Sequence, residues 1–199
     1  YCRKKGHISE GKEAIQGAPA ILEQHHLQRQ VPAATTWLNA ATALRAFGEK
    51  ESALHYFEMT KEIYSGQIND YDYRYAGLYN NMGLLLCDMK RFEEAEAYFR
   101  RALQILQTDP QAGAEMASTY VSLAHMYRKR NGESESAGQV EEALKEAKRL
   151  LDVPGGLPDS YFAYMCQVCA SSYRLLGYEE DAQDLERLAE QFYKGQRSQ

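Results

Sequence analysis

The chain has 199 residues, of which 44% are hydrophobic and 26% charged, with a formal net charge of −5 and a pI near 5.6. That profile fits a soluble folded domain or a short repeat array and excludes a disordered chain. Its acidic balance excludes the basic footprint of a nucleic-acid binder, and apolar runs such as Leu84-Leu85-Leu86 stop far short of the ~20 residues a membrane helix needs.

Landmarks recur at a spacing of 42 residues: Trp37-Leu-Asn-Ala-Ala41 returns as Tyr79-Asn-Asn-Met-Gly83, and Ala53-Leu-His-Tyr-Phe57 as Ala95-Glu-Ala-Tyr-Phe99. Carried backwards, the spacing sets Cys2-Arg3 under Leu44-Arg45 and Gly6 under Gly48, then Gly11, Ile15 and Ala18 under Ala53, Phe57 and Thr60. Residues 1–32 therefore predict a truncated leading repeat and a connection, helical over 10–30 with a kink or break at Pro19. The segment lacks an initiator Met and a visible signal peptide, and is read as part of a longer array. His25-His26 reads as a solvated surface pair, because a metal site would need further ligands.

Residues 33–74 form the first full copy. Trp37, Ala40, Ala41 and Leu44 share one helical face, Gly48 supplies a turn, and Ala53, Phe57 and Thr60 share the face of a second helix. Tyr71, Tyr73 and Tyr75 fall outside the repeat's logic. They are either packing between repeats or an aromatic contact for a partner at one rim. The second copy, 75–116, has Tyr79, Met82, Gly83 and Leu86, then Phe92, Ala95, Phe99, Ala102 and Leu103. Small residues alternate with bulky ones, as close helix packing requires. Asp109-Pro110 predicts an N-cap and a first-turn Pro for the next helix.

The third copy, 117–159, runs Tyr120-Val-Ser-Leu-Ala124, Tyr127, Ala143 and Ala147. Its halves are further apart, and the polar, Gly/Ser-rich stretch 130–138 between them predicts a mobile inter-helix loop. Val153-Pro-Gly-Gly-Leu-Pro158 predicts a compact break before the fourth copy, 160–199, with Cys166, Cys169, Tyr173, Gly177, Ala182 and Ala189. No domain boundary is expected at either place, so the copies form one domain. Glu186 stands where the second-helix Phe belongs. It is either the polar face of a repeat without a successor or a plain departure from the pattern.

These residues resemble the tetratricopeptide repeat, whose pattern is an aromatic, Leu-Gly and Tyr on the first helix and Ala, Phe, Ala on the second. The second copy matches best, through Tyr79, Met82-Gly83, Leu86, Ala95, Phe99 and Ala102. The long period is similar to the subtype of kinesin light chains and many bacterial proteins of this family. The resemblance implies an all-α, right-handed solenoid of antiparallel helix pairs, with the first helices lining a concave groove that binds proteins.

Little in the sequence points to catalysis. Cys166-x-x-Cys169 sits in core slots of a first helix and reads as packing, since a lone pair of this kind lacks the second ligand pair of a zinc site. Glu93-Glu94, Glu141-Glu142 and Glu179-Glu180 each open a second helix and complement its dipole. Phosphate loops, nucleophile elbows and HExxH motifs are absent. The reading is a non-enzyme without cofactor or metal, and four thiols outside any disulfide framework suit the cytoplasm.

At 100° per residue, the groove-facing or flanking positions are Thr35, Leu38, Asn39, Thr42, Arg45 and Ala46 in the first copy. In the second they are Gly77, Asn80, Asn81, Leu84, Cys87 and Asp88. The third contributes Ser118, Val121, Ser122, His125, Arg128 and Lys129, the fourth Tyr164, Gln167, Val168, Ser171, Arg174 and Leu175. Asn39 and Asn81 recur at the repeat period, and an amide both donates to and accepts from a peptide backbone. The resemblance implies the same use, as in kinesin light chains and bacterial peptide sensors. Arg3, Arg45, Arg128 and Arg174 form a second column, which either pairs with acidic groups of a partner or caps carbonyls and pairs with neighbouring Glu. The candidate site is thus Asn39, Arg45, Asn80, Asn81, Asp88, His125, Arg128 and Arg174. The lysines of the chaperone-tail clamp are missing from these columns. The expected function is a non-catalytic scaffold for a protein or peptide segment. The alternatives are a peptide-sensing regulatory module of a longer signalling protein, and a homo-oligomerising repeat.

Overall fold

The computed structural model describes residues 29–152 and 159–196, together with Ile15, Gly17, Ile21, Leu22 and 24–27. Most of the leading repeat, including its break at Pro19, and the Pro/Gly break at 153–158 lie outside the described residues. Those residues form seven helices and no strand: α1 Val31–Ala46, α2 Lys50–Tyr64, α3 Tyr73–Asp88, α4 Phe92–Leu106, α5 Gly113–Leu151, α6 Asp159–Leu175 and α7 Glu179–Gln196. The all-α expectation holds. Two compact units divide the chain, Tyr1–Tyr98 and Phe99–Gln199.

In the first unit α1 starts with Pro32 in its first turn, where a missing N–H costs nothing. Its buried face is Ala33, Ala34, Trp37, Ala40, Ala41 and Leu44. The alanines let α2 approach, and Trp37 meets Tyr56 with ring centroids 5.2 Å apart. Thr60, buried in a slot that suits Ala, satisfies its hydroxyl by donating to the Tyr56 carbonyl at 2.9 Å. Between α1 and α2 the chain reverses through Gly48 at φ 84°, with Glu49 N–H donating to the Leu44 carbonyl. The turn from α3 to α4 repeats the device, with Lys90 at φ 61° and Arg91 N–H on the Leu86 carbonyl. This closing pattern satisfies end carbonyls and requires a left-handed residue.

The three tyrosines before α3 part company. Tyr75 is buried, edge-on to Tyr64 at 5.3 Å and stacked on Tyr79 at 5.4 Å. Tyr71 and Tyr73 are exposed. Asp72 caps α3 by accepting from Arg74 N–H at 3.0 Å.

In the second unit the expected loop at 130–138 is helical. The only interruption inside α5 is Gly132, at φ 76° and ψ −177°. Gly48, Lys90 and Gly132 lie one 42-residue period apart, so the turn keeps its phase. The extra residues lengthen the second helix: 133–151 spans 19 residues, against 15 in α2 and α4. Ser136, Val140, Ala143, Leu144, Ala147 and Leu151 make one buried face there. The Ser136 hydroxyl is satisfied by the Gly132 carbonyl. Glu141 and Glu142 consequently lie inside a helix instead of opening one, whereas Glu93-Glu94 and Glu179-Glu180 do sit in first turns. Asp109 accepts from Gln111 N–H at 2.9 Å and forms a turn just ahead of α5 instead of capping it directly.

Tyr173 of α6 is buried and donates its hydroxyl to the Leu144 carbonyl of α5. Phe162 of α6 meets Phe192 of α7 at 4.8 Å. Cys166 and Cys169 are buried and free, and burial pushes both thiols up to about 12. They pack.

Candidate protein-binding face

Arg3 lies outside the described residues; the other three arginines of the column are engaged within the molecule. Arg45 Nε, at the end of α1, donates to Asp88 Oδ2 at 2.7 Å at the end of α3, and Lys50 Nζ donates to the Asp88 carbonyl. Arg128 Nη2 donates to the Leu176 carbonyl at 2.9 Å, where α6 ends, and Nη1 to Glu133 at 3.2 Å. Arg174 is held by Glu179 and, through two parallel bonds of 2.9 and 3.0 Å, by Glu186. Glu186 in the Phe slot thereby has a role: it fixes Arg174. Of the two readings of the column, capping and pairing within the chain describes the geometry.

In the first unit α1 and α3 are neighbours, tied at one end by Arg45 and Asp88. The exposed side of α1 carries Thr35, Asn39, Thr42 and Ala46. On α3 the open side runs Tyr73, Gly77, Asn80, Leu84 and Asp88, spaced four, three, four and four residues apart. Asn39 is exposed. Asn81 Nδ2 donates to its own helix at the Gly77 carbonyl, 2.9 Å away, leaving its carbonyl oxygen over. Asn80 Oδ1 is buried and has no hydrogen-bond partner. A Cβ built on Gly77 would meet nothing within 4 Å, so the face is shallow there.

The remaining predicted residues belong to the second unit. His125 is half-buried on α5; burial, then the charges of Lys129 and Arg128, hold its imidazole below the ordinary value of 6.5. Arg128 is half-buried and Arg174 exposed. Tyr73, 73% exposed at the head of the α3 stripe, was left open by the sequence as packing or rim. Its helical spacing from Gly77, Asn80 and Leu84 is the signal that assigns it to this face. Among the described residues no group of three or more His, Cys, Asp or Glu could hold a metal ion, and no helix is long and apolar enough to cross a membrane.

Paired helices closed by periodic left-handed turns define a tetratricopeptide-repeat fold. Residues 74–153 match the sequence model of the tetratricopeptide repeat. Among solved structures, BtubC (BKLC) from P. vanneervenii is similar at 16% identity and a TM-score of 0.62, over 100% of this chain and 78% of that one. The nearly identical TPR-like repeats of a putative kinesin light chain from Podosopora anserina are similar at 15% identity and a TM-score of 0.62, over 100% and 92%. No curated protein matches the sequence. The chain therefore has the all-α fold of kinesin-light-chain-like tetratricopeptide proteins.

Proposed function

We propose that this chain is a non-catalytic interaction module whose α1–α3 face binds an extended segment of another protein. The observation that carries the reading is Asn80 Oδ1, a buried acceptor without a donor. Such a group typically costs about 1–3 kcal/mol when left unmet, and a turn of the half-buried Asn80 amide toward the open side of α3 would let a main-chain N–H of a bound segment meet it. Asn39 and the remaining acceptor of Asn81 would take further main-chain groups, so recognition would depend little on the ligand's side chains. Gly77 leaves room for a backbone to lie close, and Tyr73 offers a rigid aromatic anchor. Arg45 and Asp88 neutralise each other and serve this face by fixing the two helices, not by attracting charge. Buried free thiols at Cys166 and Cys169 support a reducing, cytoplasmic setting.

The test starts from peptides selected on the wild-type chain from a phage-displayed random library. Asn80→Ala is expected to weaken the selected peptides at least tenfold by fluorescence anisotropy, with Asn39→Ala weaker in effect. If every selected peptide binds the Asn39→Ala/Asn80→Ala double variant as it binds the wild type, the reading fails.

A further inference from the structure

Among the described residues, one face of α6 gathers exposed apolar side chains. Of the large hydrophobic side chains the fold leaves exposed, four are on this helix: Tyr161 at 36%, Tyr164 at 55%, Val168 at 39% and Leu175 at 79%. At 100° per residue they fall within about 60° of one another, in the middle of the helix's open side. Between Asp159 and Arg174 the helix carries no charged residue, although a quarter of the chain is charged. Arg174 itself is neutralised by Glu179 and Glu186. Tyrosine enrichment with charge depletion is the composition of an interface centre. Tyr161 is already oriented, its hydroxyl donating to Glu115 Oε1 at 2.9 Å, so docking would cost it little entropy.

The stripe has a further property: it is nearly palindromic about Val168. Tyr161 and Leu175 lie seven residues to either side, and Tyr164 and Ser172 four to either side. Laid antiparallel against itself, the helix puts Val168 on Val168. Tyr161 meets Leu175, and Tyr164 meets the small side chains of Ser171 and Ser172. Each bulky side chain thus finds a small or flexible one, and residues 160–173 of the helix bring no charge of their own to the contact. With whole tyrosines covering about 150–250 Å² each, the four side chains leave roughly 400 Å² to water, comparable to the largest patch of a typical monomer, which is often functional. Two such patches with their polar flanks reach on the order of 1,200 Å², the lower end for a specific dimer.

We infer that the exposed face of α6 is a two-fold contact through which two copies of this chain pair. The inference stands apart from the α1–α3 face, and either can fail alone. Sedimentation velocity of the 199-residue chain from micromolar to near-millimolar concentration is expected to show a reversible monomer–dimer equilibrium. Val168→Glu and Leu175→Glu, both at exposed positions, should each raise the dimer dissociation constant at least tenfold with unchanged helical circular dichroism. Because Val168 lies on the axis, mixing Val168→Glu with Val168→Lys should restore a dimer that neither variant forms alone. A wild type that stays monomeric throughout overturns the inference and leaves the stripe to a helix of another protein. So does a dimer indifferent to both Glu variants, or a mixture that remains monomeric.

Discussion

Lys90 holds a left-handed backbone at φ 61° in a turn where the equivalent positions are Gly48 and Gly132. An L-side chain there costs about 1–2 kcal/mol relative to right-handed backbone, and Lys90 is exposed. Lys90→Gly is therefore expected to stabilise the fold by about 1 kcal/mol, raising the thermal midpoint by about 2–4 °C. An unchanged or lower midpoint would show that the turn tolerates Lys without strain. His125 makes a pH prediction. Its folded pKa lies below 6.5 because burial disfavours the imidazolium. The stability this contributes is complete above 6.5 and falls as pH drops through the depressed folded value. Urea midpoints measured between pH 7.5 and 5 should decline in the wild type and decline less in His125→Gln; equal slopes would remove His125 as the cause. The arginine column was legible as a pattern, but its purpose was not. A recurring cation reads the same whether it faces a partner or the end of the next helix, and only the positions of Asp88, Leu176 and Glu186 reveal the partners that Arg45, Arg128 and Arg174 have within the chain.

At the scale of the helix, the repeat period located most elements because buried small and bulky residues alternate at helical spacing in every copy. It failed at 130–138, where Gly and Ser imitate a loop. Only Gly132 is used for its backbone freedom; Gly138 has ordinary helical geometry and open space around its Cα. The neglected signal was the apolar face continuing from Val140 to Leu151 in step with Ser136. If 133–151 is one helix, Gly138→Ala removes backbone entropy without a clash and should stabilise by about 0.5–1 kcal/mol in urea unfolding. A mobile loop would gain nothing comparable. The same continuity explains why Glu141 and Glu142 cannot act on a helix dipole: the N-terminus is eight residues earlier.

For the molecule as a whole, the family pattern and the solved relatives agree on fold, while the candidate face was only half readable. Asn39 and Asn81 announce themselves by their period. Asn80 does not recur but falls on the groove side by its helical angle, whereas Tyr73 lies outside the repeat's columns, and its place emerges only when α3 is seen to leave Tyr73, Gly77, Asn80 and Leu84 on its open side. Binding through that face is the central claim. Its most direct measurement is a ¹⁵N-resolved NMR titration of the chain with a library-selected peptide, following the side-chain amide signals of Asn39, Asn80 and Asn81, each assigned from its Ala variant. The expected result is a saturable shift of the Asn80 side-chain signal together with the backbone amides of Tyr73, Gly77 and Leu84. Saturable binding that leaves all of these signals in place would contradict it.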